Sequence, residues 1–194
     1  MGDVKSIMIV GVGGQGTLLA SRVMGNVLMR QGYDVKLSEV HGMAQRGGSV
    51  VTYVKYGDHV YSPVIEKGEA DLIVSFELCE AARYLPYLKK GGKIVVNDQK
   101  IPPMPVITGA AEYPEDIVER IRRLGVEVVC ADALSLAEQA GSPKAVNIVL
   151  IGVLSQMTDI PLDAWEAALE QSVPPKFLEL NRRAFRLGRE IAVK

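Results

Sequence analysis

Two hydrophobic periods alternate along this chain, and the points where one gives way to the other lay out its elements. Residues 5–10, ending in Ile7-Met8-Ile9-Val10, read as a strand buried on both faces, and residues 17–31 place apolar side chains at helical spacing up to the stop at Gly32. Residues 34–39 read as a second strand. Residues 40–48 then show no periodicity and carry three glycines, where a plain βαβ repeat would continue into a helix. The β-rich run 49–56 ends in the turn signal Gly57-Asp58 and is followed by residues 59–62, a pattern that predicts a hairpin or ribbon.

Regular alternation resumes with a strand at 71–76, a helix at 78–88, a turn at Gly91-Gly92 and a strand at 93–97. A proline-rich connection covers 101–105. A helix at 114–124 leads to a strand at 126–130, and Asp132 is placed to cap a helix running to Ala140. From Pro143 the pattern is helical, at 145–156, 162–171 and 176–192. In the last helix, Phe177, Leu180, Ala184, Leu187 and Ile191 form the predicted apolar stripe, with Arg182, Arg183, Arg186 and Arg189 facing outward. The predicted fold class is α/β: a Rossmann-like, mostly parallel sheet with a β-ribbon insertion after strand 2 and a helical C-terminal region. One domain is expected over 1–194, with 1–142 as the α/β core and 143–194 as the helical part.

Composition narrows the chemistry. Hydrophobic residues make up 48% of the 194 positions and charged residues 23%, as in ordinary globular domains. A net charge of -1 argues against nucleic acid as a partner, because phosphate-tracking proteins concentrate basic charge. No apolar run approaches the ~20 residues of a membrane span, and the chain starts without a secretory signal, so a cytoplasmic protein with no membrane partner is expected. Cys79 and Cys130 stand far apart with no cysteine–histidine cluster, so no metal or iron–sulfur site built by this chain alone is expected. Both are read as small, buried, inert core residues, and His59 in its turn as solvent-facing.

The most distinctive stretch is Ile9-Val10-Gly11-Val12-Gly13-Gly14-Gln15-Gly16. Gly11, Gly13 and Gly16 fit G-x-G-x-x-G between a strand and a helix, and Glu39 ends the second strand near the ~20-residue spacing of a ribose-binding acid. Together with Gly14 and Gln15 these residues could hold a nucleotide or another anion at the start of the helix. Equally, the glycines could make a tight turn that another backbone approaches closely. A dinucleotide domain, however, has no need of the cluster His41-Gly42-x-x-x-Arg46-Gly47-Gly48 after its second strand.

The segments GVGGQGTLLAS, SEVHGMAQRGGSVVTYV, YSPVI, ADLIVSFE, YLPYLKKGGKIVVN and AGSPKAVNIVLIGVLS follow one another as in the gamma-type catalytic domain of 2-oxoacid:ferredoxin oxidoreductases. The chain resembles that family over residues 7–187, more weakly across 100–129. The resemblance implies a subunit of a complex that oxidatively decarboxylates an aryl 2-oxoacid such as indolepyruvate to its acyl-CoA and reduces ferredoxin. It implies a large alpha subunit carrying thiamine diphosphate, magnesium and 4Fe-4S clusters, with CoA as co-substrate and no cofactor held by this chain alone.

On that reading the loop from Glu39 to Ser49 faces a shared active site. His41 could exchange a proton or hydrogen-bond the substrate carbonyl, or be a satisfied loop residue. Arg46 could bind a carboxylate or a CoA phosphate, or form an intersubunit ion pair. Gly47 and Gly48 are assigned to backbone shape at an interface, and Asn147 to a hydrogen bond with a neighbouring loop or chain. Two other readings stay open: a free-standing NAD-binding Rossmann dehydrogenase using Gly11, Gly13, Gly16 and Glu39, and an interaction module that contributes no catalytic group.

Overall fold

The first strand, β1 (Lys5–Val12), is buried at every position after Lys5, as its apolar run requires, and so takes a central place in the sheet. The structure, a computed structural model, describes residues 4–42 and 47–193. A glycine turn leads into α1 (Thr17–Arg30), followed by β2 (Asp34–His41), β3 (Ser49–Gly57), β4 (Ala70–Ser75) and α2 (Leu78–Tyr84). Then come β5 (Leu88–Asn97), α3 (Met104–Ile107), α4 (Ile117–Arg123), β6 (Glu127–Ala131) and α5 (Ala133–Ala140). Three helices close the chain, α6 (Val146–Ser155), α7 (Leu162–Ser172) and α8 (Leu178–Arg189). Asp132 caps α5 as expected, accepting from the Ser135 amide at 3.0 Å.

Among the described residues the strands form one six-stranded sheet in the order β2-β3-β1-β4-β5-β6. The β1, β4, β5 and β6 block is parallel, whereas β3 runs antiparallel to both β1 and β2. This corrects two expectations. First, residues 5–39 read as one βαβ-like unit with its two strands parallel, whereas β2 does not neighbour β1, because β3 lies between them. Second, the ribbon partner of β3 is β2, and residues 59–62 form no strand. Burial explains the order. Val50, Val51, Thr52 and Val54 of β3 can line both faces of an interior position, whereas no residue of β2 is buried and its Asp34, Lys36 and Glu39 suit an exposed edge.

Helices cover both faces. On one face α1 and α5 to α8 pack over Ile7, Ile9, Val54, Val74 and Val95. On the other, α2 and α4 pack with Ile65 over Met8, Val10, Ile73, Ile94 and Val96. Residues 147–155 of α6 are all buried, so this helix is the hub of the first layer. It meets α8 with backbone touching backbone: a Cβ on Gly152 would lie 2.2 Å from the Phe185 carbonyl oxygen, and one on Gly188 2.1 Å from that of Val149.

Four of the five residues of the expected stripe face the core: Ala184 is buried, and Leu180, Leu187 and Ile191 pack against the same cluster half-buried. Asn181, Ala184, Phe185 and Gly188 are the buried positions, and Phe177 is 46% exposed. Three of the four arginines expected to face outward also bridge helices, Arg186 while remaining exposed. Arg182 reaches Glu170, Arg186 reaches Glu166, and Arg189 donates to the Ser155 hydroxyl at 2.8 Å.

Candidate functional site

The glycine turn joins the carboxyl end of β1 to α1, and its side chain at Gln15 folds inward. The Gln15 Oε1 accepts from the Val12 amide at 2.7 Å, while Nε2 donates to the Phe76 carbonyl at 2.9 Å and to Gln99 Oε1 at 3.1 Å. Asn97 joins the same network, donating to Phe76 and Gln99 and accepting from the Ala133 amide. A side chain on Gly11 would meet Gln15 Oε1 at 2.9 Å and the Phe76 Cβ at 3.0 Å, so the first glycine makes room for this fold-back. Gly14 and Gly16 have φ of 103° and 83°, which only glycine adopts readily. Below Gly16, buried Asn147 donates to its carbonyl at 3.2 Å and stands 2.6 Å from where a Cβ would be. Of the two partners expected for Asn147, the neighbouring loop is the one present.

Outside the turn lies a cavity of about 240 Å³ lined by Gly13, Gly14, Gly16, Thr17, Leu18, Glu39, His41 and Val50. It brings residues of β1, α1, β2 and β3 together at the carboxyl ends of β1 and β2. Gly47 and Gly48, just before β3, are tied to the turn. The Gly13 amide donates to Gly48 at 2.8 Å, and the Gly47 amide donates back to Gly13 at 3.4 Å. Ser49, next in line, donates to buried Glu80, which also accepts from Arg83 Nε at 3.0 Å. The amides of Gly14, Gly16, Thr17 and Leu18 point to no acceptor among the described residues. They give the cavity a positive wall. Glu39 and His41 are exposed on the opposite rim; Thr52 Oγ1 stands 3.5 Å from Glu39, and His41 Nδ1 lies 3.2 Å from the Gly42 carbonyl. The rim therefore offers anion-binding amides, a carboxylate and an imidazole within one small opening.

One feature of this geometry stands against the dinucleotide reading. In doubly wound sheets the ligand crevice opens where successive helices leave to opposite faces, which here is between β1 and β4. Gln15, Gln99 and Asn97 fill that place. Glu39 stands on β2, separated from β1 by the inserted β3, yet its side chain lines the same cavity as the glycine turn.

Comparison with known proteins agrees with this geometry. The family described as pyruvate ferredoxin/flavodoxin oxidoreductase matches residues 6–191. The chain belongs to this family. It is 46% identical to the indolepyruvate oxidoreductase subunit IorB of Thermococcus kodakarensis, over 94% of this chain and 93% of that one. The crystal structure of the gamma subunit of a keto/oxoacid ferredoxin oxidoreductase from Geobacter sulfurreducens superposes with a TM-score of 0.72 at 25% identity, covering 97% and 98% of the two chains. The same fold recurs, at 18% identity and a TM-score of 0.71, in 31% of a longer chain of 2-oxoglutarate:ferredoxin oxidoreductase from Magnetococcus marinus.

For this member of the pyruvate ferredoxin/flavodoxin oxidoreductase family, the structure gathers Gly13, Gly14, Gly16, Glu39 and His41 around one cavity. Gly11 and Gln15 turn inward as supports, Gly47 and Gly48 close the loop onto Gly13, and Arg46 lies outside the described residues. Cys79 and Cys130 are half-buried rather than fully buried, on α2 and β6 respectively, and Cys130 packs against the core of the second face. Burial pushes both thiols up from their ordinary value, so both stay protonated near neutrality.

Glu77, Glu80 and Gln99 escaped sequence reading. The clue was two carboxylates three residues apart at the start of α2, where Glu77 accepts from the Glu80 amide at 2.9 Å. Such an arrangement reads first as an ordinary cap. Among the described residues no helix is long and apolar enough to cross a membrane, and no group of three or more His, Cys, Asp or Glu could hold a metal ion.

Proposed function

We propose that this chain is the small subunit of a thiamine-diphosphate-dependent oxidoreductase that converts indolepyruvate, or another aryl 2-oxoacid, to the acyl-CoA with release of CO₂ and reduction of ferredoxin. The observation that carries this reading is the 46% identity to IorB across nearly the full length of both chains. Thiamine diphosphate supplies the decarboxylation chemistry from the large alpha subunit, which also holds magnesium and the 4Fe-4S clusters and docks ferredoxin. This chain, a single cytoplasmic gamma-type domain, closes the reaction chamber with the cavity between the glycine turn and the β2–β3 loop.

Within that chamber the α1 amides and Arg46 bind anionic groups of the 2-oxoacid or CoA. His41, exposed on the rim, hydrogen-bonds or exchanges a proton with the substrate. Gly47 and Gly48 shape the contact with the partner, and Asn147 holds the glycine turn in place from below. The solved Magnetococcus marinus relative has 2-oxoglutarate, coenzyme A and succinyl-CoA bound, which supports the choice of 2-oxoacid and CoA as ligands.

Reconstitution tests the proposal. The purified chain should show neither iron–sulfur absorbance nor turnover, and should restore indolepyruvate- and CoA-dependent ferredoxin reduction when combined with the large subunit. Turnover by the isolated chain would overturn the proposal, and a 2-oxoacid panel on the complex fixes the substrate.

A further inference from the structure

We infer that residues 101–111 form the docking knob by which this chain grips the large cofactor-bearing subunit, with Met104 and Ile107 as the contact anchors. The inference rests on the functional reading above, which requires such a partner.

The segment, Ile-Pro-Pro-Met-Pro-Val-Ile-Thr-Gly-Ala-Ala, contains no charged residue, although it protrudes from a chain in which 23% of residues are charged. Met104 and Ile107 lie three residues apart on α3 and are each 65% exposed. Exposed apolar side chains are common singly, but two adjacent ones on an uncharged excursion form an interaction surface. The excursion is held at both ends by one buried carboxylate. Glu77 is 1% exposed; it accepts from the Ile101 amide at 3.1 Å and from the Tyr113 hydroxyl. The Cys79 amide donates to the same Tyr113 oxygen at 3.1 Å. Three prolines restrict the backbone further. A surface clamped in this way loses little conformational entropy on binding.

Position and surroundings select the occupant. The segment begins two residues after Gln99, which follows the carboxyl end of β5 and contacts Gln15 of the glycine turn, so knob and cavity share one end of the sheet. Exposed Asp98, Lys100, Glu112 and Asp116 ring its base, giving the apolar centre and charged rim of a protein–protein interface. A partner that completes the cavity must approach this end. The occupant is therefore the large subunit, offering an apolar recess to Met104 and Ile107.

The test uses the full chain co-expressed with the large subunit, with affinity read by titrating the separately purified partners. Met104→Asp/Ile107→Asp should weaken assembly on the order of 100-fold, and Met104→Ala/Ile107→Ala about tenfold, with thermal midpoints of the free chain unchanged. Tyr61→Asp/Leu124→Asp, which charges two exposed apolar positions at the opposite end of the sheet, should leave assembly at its wild-type level. Normal assembly by the Met104→Asp/Ile107→Asp chain would overturn the inference, as would loss of self-association by that variant with subunit binding intact. Failure of the unaltered chain to bind the large subunit would instead count against the functional reading.

Discussion

Two pairs of glycines in this molecule are held by opposite constraints. Gly152 and Gly188 lie where α6 and α8 cross, and each would drive a Cβ into a carbonyl oxygen of the facing helix. Gly14 and Gly16 lie at the rim of the candidate site; Gly14 has open space around it, and Gly16 faces only the tip of Asn147. Helix-crossing glycines are required because rigid backbone stands opposite. Rim glycines are required because the chain must turn left-handed and leave amides free. The first pair serves helix packing and the second is proposed to serve the cavity, and substitutions should separate them.

Gly188→Ala and Gly152→Ala should have the largest effect, about 3 kcal/mol or more each, since neither facing carbonyl can move without displacing a whole helix. Urea unfolding of the purified chain measures this. A loss below ~1 kcal/mol would mean that α6 and α8 slide apart freely, and the contrast between the two pairs would disappear.

Gly16→Ala should cost less, about 2 kcal/mol, from a strained positive φ plus displacement of Asn147. Asn147→Ala in the same background sharpens the comparison. If the contact dominates, the second change recovers part of the loss; if the backbone angle dominates, it recovers nothing. Gln15→Ala should cost roughly 1–2 kcal/mol, because it leaves the Val12 amide and the Phe76 carbonyl with fewer partners. Thermal unfolding with a hydrogen-exchange readout at Val12 checks it.

How much of this was readable in the sequence follows from the range of the interactions involved. The buried strand β1, the capped helix α5 and the apolar helix α6 are local patterns, and all three stand where the pattern put them. Strand order was not local. Both β2 and β3 read as strands, and only the burial of β3 on both faces, set by what packs against it, decides which one neighbours β1. The short helix α3 was hidden because prolines at 102, 103 and 105 read as a break, although proline is well suited to a first helical turn.

At the site, Gly13, Gly16, Glu39 and His41 were legible because glycines and charged groups at strand ends are conspicuous. Their supports were not. Gln99 reaches Gln15 across 84 positions and Tyr113 reaches Glu77 across 36, and no short window of sequence contains either pair.

His41→Ala should have the smallest effect on stability, within about 0.5 kcal/mol, because the side chain is exposed and its one hydrogen-bond contact among the described residues is its neighbour's carbonyl. Its effect on turnover decides between two roles for the rim. If His41 exchanges a proton with the substrate, kcat in the reconstituted complex should fall on the order of 100-fold. If the chain only shapes the partner's chamber, kcat should stay within about twofold, and Gly16→Ala, which distorts the cavity wall, should be the more damaging change. The second result would move the rim glycines from the functional side of the comparison to the architectural one, leaving them different from Gly152 and Gly188 in stiffness alone.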